Sequence, residues 1–346
     1  MTRSLLTGLL VLFCGCACSL SAQDDIIKVN TSLVSVPVIV SDRDGRYIPD
    51  LKAADFLITR DGTSQKIDFF ASVEEPINVA ILIDTSQSTR PVLGDIKKAA
   101  ENFIKVLGLR DRAAIVSFDY ETHVLSPLTA DTGKLKHAIR EAEIPKIMGT
   151  TLRDAVAQTV SQEFRNVTGR KAIILLTDGK DAGSEISPQT LIGSLEESDV
   201  MIYSVYFETG QRGQFGGGMG HRGGGGIFGP RFPGNGRFPG GRNDRYPGGR
   251  GGGNPQRQQR VEVQNERAEE FLQLLSDVTA GRFYQSKGSK FKDTFDLIVD
   301  ELRHQYRLGF YPPEESATAA VHDLHVKVAR SDVVVRARAT YRDVAK

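Results

Sequence analysis

The 346-residue chain has no tryptophan, only four methionines and six histidines, and three cysteines, Cys14, Cys16 and Cys18, all near the start. Beyond residue 18 no cysteine remains to build a disulfide framework or to do thiol chemistry. The histidines (His123, His137, His221, His304, His322 and His325) are scattered, with no pair at the helical spacing of a zinc site. No Gly-x-x-x-x-Gly-Lys loop occurs, so ATP is not an expected ligand. An excess of one charge is missing too. Lys and Arg total 44 against 43 Asp and Glu, a formal charge of +1, which excludes the chain as a whole from the nucleic-acid binders.

Long apolar runs are absent apart from one. After Arg3 the sequence LLTGLLVLFCGCACSLSA supplies a charged start, an apolar stretch and small residues up to Ala22, the build of a secretory signal peptide over residues 1–22. It is too short, and too abruptly followed by Gln23-Asp24-Asp25, for a spanning helix. Lipidation of Cys16 after Phe13-Cys14-Gly15 is the alternative, for which Phe13 is a poor fit. The expectation is an exported protein, periplasmic, on the outer surface or extracellular. Its mature body has no transmembrane segment and no cysteine.

Glycine, by contrast, is plentiful and concentrated. Of 35 glycines, 20 lie between Gly210 and Gly253, with Arg212, Arg222, Arg231, Arg237, Arg242, Arg245 and Arg250 against one acid, Asp244. That tract is +6 on its own, so with Arg3 removed the rest of the chain is −6. Such a composition cannot bury a core and reads as a disordered Gly/Arg-rich loop over 209–255. Its arginines, interleaved with Phe215, Phe228, Phe232, Phe238 and Tyr246, are candidate contacts for an anionic surface polymer; a merely tolerated insertion is the plainer reading.

The remaining sequence changes period twice. Val34, Val36, Val38 and Val40 alternate with Ser35, Pro37 and Ser41, and further short strands are expected at Asp55–Thr59 and Gln65–Phe70. Alternation returns at Tyr306–Tyr311, Leu324–Ala329 and Val333–Tyr341. Between these ends lie continuous apolar runs, Val79–Asp84, Ala113–Phe118, Ala172–Asp178 and Val200–Phe207, of the kind covered on both faces. Segments with helical spacing separate them, around Ile96–Leu107, Leu152–Phe164, Ala268–Val278 and Phe291–Leu302. The expected fold is α/β: a doubly wound, mainly parallel sheet over residues 76–305, inserted in a β-sandwich built from both chain ends, 23–75 and 306–346.

In a doubly wound sheet, ligands bind at the carboxyl ends of the strands. There the sequence places Asp84-Thr85-Ser86-Gln87-Ser88, Thr177-Asp178-Gly179 and, opening a helix between them, Gly149-Thr150-Thr151. Two carboxylates and several hydroxyls make a hard, all-oxygen donor set suited to Mg²⁺, with Mn²⁺ or Ca²⁺ accepting similar oxygens. Asp84, Ser86, Ser88, Thr150 and Asp178 are the candidate metal ligands. Between Thr150 and Thr151, both in this loop, the resemblance given next points to Thr150, which directly follows Gly149.

This pattern, Asp84-x-Ser86-x-Ser88, then Thr150, then Thr177-Asp178-Gly179, resembles the metal-ion-dependent adhesion site (MIDAS) of von Willebrand factor type A domains. The frame around it, Asp55-Phe56 and Asp61-Gly62 upstream and YRLGFYPP over 306–313 downstream, is similar to secreted bacterial, acidobacterial-type proteins carrying a related domain. The resemblance implies that Ser86, Ser88 and Thr150 ligate the metal directly, with Asp84 and Asp178 acting directly or through water. It also implies an open coordination position for an Asp or Glu carboxylate of a partner protein. A binding module of this kind is not an enzyme. Two rivals stand beside it: an envelope scaffold with a structural metal, and a hydrolase on the same sheet. Against the last, Ser86 stands where a phosphate-transferring hydrolase with an Asp-x-Asp pair needs a second aspartate, and it lacks the flanking glycines of a serine nucleophile.

Overall fold

The computed structural model describes residues 33–72, 75–209, 255–286, 291–312 and 320–343. The leader over 1–22 and the tract of seven arginines over 210–253 lie outside the described residues. In chain order the strands are β1 (Val34–Asp42), β2 (Phe56–Arg60), β3 (Thr63–Gln65), β4 (Phe69–Ala71), β5 (Ile77–Asp84), β6 (Arg112–Phe118), β7 (Thr122–Thr129), β8 (Arg170–Thr177), β9 (Met201–Tyr206), β10 (Arg282–Gln285), β11 (Gln305–Phe310), β12 (Val321–Val328), β13 (Val333–Ala337) and β14 (Thr340–Arg342). The helices are α1 (Leu93–Val106), α2 (Thr132–Glu141), α3 (Leu152–Gln158), α4 (Pro188–Glu196), α5 (Pro255–Val278) and α6 (Phe291–Arg303).

The central sheet has the order β10-β9-β8-β5-β6-β7 and is parallel except for β7, which runs antiparallel to β6. Every residue of β5 is buried, as a strand covered on both faces requires. Its side chains alternate between two cores. Val79, Ile81 and Ile83 pack with Ile96, Phe103, Leu135, Phe295 and Ile298 on the side of α1, α2 and α6. Ala80 and Leu82 pack with Leu152, Val156, Leu191 and Leu272 on the side of α3, α4 and α5.

The chain ends form two four-stranded antiparallel sheets, β13-β1-β11-β4 and β14-β12-β2-β3. In the first, β1 pairs with β11, with Val38 opposite Tyr306; in the second, β2 pairs with β12, with Ile58 opposite Val326. Val36, Val38, Phe56, Ile58, Tyr306, Leu308, Leu324 and Tyr341 meet in one core between the sheets. A mixed α/β chain with a mainly parallel sheet and a sandwich from both termini is therefore the architecture.

Several elements differ from the sequence expectation. The central sheet has two edge strands beyond the four apolar runs: β7 carries Pro127 and an irregular register against β6, and β10 is only four residues long. The expected strand Gln65–Phe70 is divided between β3 and β4, which join different sheets, and Val333–Tyr341 is divided between β13 and β14 in the same way. Helix α5 begins at Pro255, well before Ala268, with a proline at its first position. Helix α3 passes into a π-helical turn at Thr159–Glu163, where the Thr159 hydroxyl donates to the Ala155 carbonyl at 2.7 Å.

Polar contacts join sandwich and central sheet. Glu301 of α6, fully buried, accepts a hydrogen bond from Arg336 of β13 and lies 3.3 Å from Arg282 of β10. Arg338 donates to the carbonyls of Glu196, Ser198 and Ser35, and its burial draws the guanidinium down to about 10. Within the sandwich, the Tyr306 hydroxyl donates to the Ile48 carbonyl at 2.6 Å and accepts from the Leu51 amide at 3.0 Å. Tyr306→Phe strands both backbone groups in the core, and urea unfolding is expected to show a loss of about 1–3 kcal/mol.

Candidate metal centre

Strand β5 ends on Asp84, whose side chain is wholly buried. Its Oδ1 accepts from the Ser86 amide at 2.9 Å, and its Oδ2 accepts from the Thr177 hydroxyl at the end of β8 at 2.6 Å. Thr177 Oγ1 in turn accepts from the Gly179 amide at 2.9 Å. The chain thus turns sharply after each of two neighbouring strands and holds the turns to each other through Asp84 and Thr177. Burial first, and the nearby Asp178 charge second, push the Asp84 carboxyl up to about 7 from its ordinary 3.8.

After Asp84 the chain leaves the sheet, and Ser86 and Ser88 return toward each other with their hydroxyls 3.0 Å apart. Two oxygens about 2.1 Å from one Mg²⁺ at adjacent octahedral positions lie about 3 Å apart, so this pair has the spacing that such an ion asks for. The Thr89 hydroxyl, donating to the Ser86 carbonyl at 2.8 Å, fixes the short turn between them and α1.

The third strand end supplies a residue that the sequence reading passed over. Asp119, buried directly after β6, accepts from the Thr85 hydroxyl at 2.9 Å, while its backbone carbonyl accepts both the amide (2.7 Å) and the hydroxyl (3.0 Å) of Thr151. It therefore ties the loop before α3 to the loop after β5. Its signal in the sequence was an aspartate ending an apolar run, as at Asp84, but without a following Ser-x-Ser. Because Thr151 commits its hydroxyl to Asp119, the neighbouring Thr150 is the threonine whose side chain makes no hydrogen bond among the described residues. Gly149 must be glycine here, since a Cβ would lie 2.8 Å from Tyr120 Cβ and 3.0 Å from its Cα.

Asp178 is likewise buried. Its Oδ2 accepts from Lys180 Nζ at 2.6 Å and from the Thr209 hydroxyl, and its Oδ1 accepts from the Lys180 amide at 3.3 Å. Gly179 has φ of +73°, and a Cβ there would meet Ala268 Cβ of α5 at 2.8 Å. The loop beyond it folds back over α3, where the Ala182 and Gly183 amides donate to the Thr150 carbonyl at 3.1 and 2.9 Å. Asp154 accepts from the Glu185 and Ile186 amides at 2.9 and 3.0 Å, which closes the loop against the first turn of the helix.

The structure thus brings Asp84, Ser86, Ser88, Thr150 and Asp178 to one rim, linked through Thr85, Asp119, Thr151 and Thr177. No group of three or more His, Cys, Asp or Glu side chains is placed to hold a metal among the described residues. The donor set at the rim fits a hard cation through its composition, two carboxylates and three hydroxyls, and not through its acid count. Arg212, Arg222, Arg231, Arg237, Arg242, Arg245 and Arg250 lie outside the described residues.

Fold and rim together define an α/β domain with an oxygen-rich site at its strand ends. Residues 78–216 match the family model of the von Willebrand factor type A domain. No curated protein matches the chain. Among solved structures it is similar to an aerotolerance-related membrane protein from Bacteroides fragilis (TM-score 0.43, 16% identity, covering 65% of this chain and 98% of that one). The von Willebrand domain of the type V pilus tip protein Mfa5 from Porphyromonas gingivalis matches at TM-score 0.41 and 14% identity, over 65% of this chain and 94% of that one. Proximal thread matrix protein 1 from the mussel byssus, solved with a zinc-occupied MIDAS motif, matches at TM-score 0.37 and 21% identity, over 41% and 38%.

The raised Asp84 carboxyl has a consequence for the metal-free protein. A group that holds its proton up to about 7 when folded, but only to 3.8 when unfolded, contributes stability that is full below pH 3.8 and is lost as pH rises through 7. In chelator, thermal melting between pH 5 and pH 8 should therefore show a falling Asp84 contribution. Asp84→Asn, which has no charge to bury, should flatten that fall and melt above the wild type at pH 8.

Proposed function

We propose that the rim is a divalent-cation site, filled by Mg²⁺ in the first instance, through which an exported protein captures an acidic side chain of a partner protein. Ser86, Ser88 and Thr150 would contact the ion directly, and Asp84 and Asp178 would contact it directly or through water. A cation bound mainly by neutral hydroxyls retains positive charge, and a carboxylate from outside completes its shell. The observation that carries this reading is the paired Ser86 and Ser88 hydroxyls, 3.0 Å apart, beside the buried Asp84.

The surface around the site supports a protein ligand. Ile147 and Met148, directly before Gly149-Thr150, are 56% and 81% exposed, an apolar pair on the same loop as a candidate ligand. The Gln87 side chain donates to the Pro145 carbonyl and Gly149 packs against Tyr120, so that loop is anchored on both sides of the pair. Apolar surface beside a polar anchor is the make-up of a binding patch. Among the described residues no helix is long and apolar enough to cross a membrane. We take 76–305 as the inserted domain, and export rests on the leader over 1–22.

The test is capture of an acidic-peptide library by the purified chain in Mg²⁺. Binding should vanish in EDTA and in Asp84→Ala, and return with Mg²⁺ in the wild type alone. Capture that persists unchanged in EDTA would overturn the reading.

The seven arginines of the 210–253 tract add a second proposed contact, with an anionic surface polymer. A chain lacking 210–253 should elute from a heparin column at lower salt than the full chain, with an unchanged melting temperature; equal elution would leave the tract no such role.

A further inference from the structure

Lys180 stands inside the candidate site and none of the roles above uses it. Its ammonium lies 2.6 Å from Asp178 Oδ2 and 3.0 Å from Thr209 Oγ1, just beyond β9, while Thr209 itself donates to the same Oδ2. The two Asp178 oxygens are thus engaged by donors of the chain itself, one of them a full positive charge. The lysine side chain is 34% exposed and Asp178 1%. The contact therefore joins a partly exposed lysine to a buried carboxylate and is not a fully solvated surface pair.

We infer that Lys180 is a tethered counter-cation of the rim, which competes with the divalent ion for Asp178 and sets its affinity. This rests on the reading that the rim takes such an ion. Asp84 and Asp178 are the two carboxylates of the donor set, and one already has a partner of the opposite sign. An arriving cation must either displace the ammonium from Asp178 or bind with it a few ångströms away. Either course weakens binding, because two like charges at that separation repel even in a well-solvated site. Lys180 cannot swing into solvent without giving up both Asp178 and Thr209. Once displaced, it faces the same rim as the proposed incoming carboxylate of a partner.

The experiment is a Mn²⁺ titration, followed by electron paramagnetic resonance, of the full chain as wild type, Lys180→Met and Lys180→Arg, with thermal melting in EDTA as the control for folding. Methionine keeps the length of the stem and removes the charge; arginine keeps the charge. Lys180→Met is expected to bind Mn²⁺ about tenfold more tightly than the wild type. Its melting temperature in EDTA should fall, since Asp178 loses its counter-charge, and the rise on adding Mn²⁺ should be the largest of the three. Lys180→Arg should stay close to wild type in both measurements. Equal or weaker Mn²⁺ binding by a folded Lys180→Met, or tightening by Lys180→Arg as large as by methionine, overturns the role of Lys180 while leaving the metal site standing. Absence of Mn²⁺ binding in all three folded proteins overturns the metal site itself and this inference with it.

Discussion

The structure turns on one buried carboxylate. Asp84 ends a strand that is apolar on both faces, so its charge has no water to face and must be met by the chain. The Ser86 amide and Thr177 hydroxyl do this, and in doing so they fix how the chain leaves β5 and β8. From these two turns follow the approach of Ser86 to Ser88, the left-handed Gly179 under α5 and the place of Asp178. A hydrophobic residue at 84 would suit the sheet better and would leave both turns without an anchor. A carboxyl pushed up to about 7 marks the cost of keeping the aspartate, and sites held at such a cost are commonly functional.

The sandwich has a second dependence, on charges carried by its last strands. Arg336 and Arg338 leave β13 and its end for the neighbouring layer, the first to the buried Glu301 of α6, the second to carbonyls following α4. Arg342 meets Glu196 at 3.0 Å in the same region. Helix α6 runs almost directly into β11, with only His304 between Arg303 and Gln305. The helix is therefore held to the sandwich by covalent continuity at one end and by Glu301 along its length. Arg170 strengthens the seam from below by donating to the Leu302 carbonyl at 2.5 Å and to the Glu75 carbonyl.

The sequence made much of this legible, for reasons that differ by element. Buried parallel strands are read easily because they are apolar throughout, and β5, β6, β8 and β9 were all visible as such. Edge strands are not: β7 is half-exposed and carries Pro127, so neither period nor composition distinguishes it from a loop. Strand divisions such as β13 from β14 escape because alternation persists while the partner sheet changes, and only long-range pairing decides which sheet receives each piece. At the rim, Asp84, Ser86 and Ser88 were readable because three close positions carry the pattern. Asp119 and Lys180 were not, because Asp119 works through Thr85 and Thr151, both distant in sequence, and only the fold shows Lys180 reaching Asp178 and Thr209.

The makeup of the rim also constrains what kind of binding it can support. Of the two carboxylates in the proposed donor set one is already paired with an ammonium, so a cation there would gain less from charge than from hydroxyls already oriented. Preorganisation then matters most: Ser86 and Ser88 are held by the Thr89 contact and the Asp84 turn, and Thr150 by two amides on its carbonyl. An ion held this way would be poorly neutralised by its own protein. On the proposed reading its remaining charge would be met by an anion from outside the domain, and the exposed Ile147 and Met148 before Thr150 would offer apolar contact to its carrier. A site designed to keep its metal for structure alone would gain by a third acid in place of a hydroxyl, and no such acid stands at Ser86, Ser88 or Thr150.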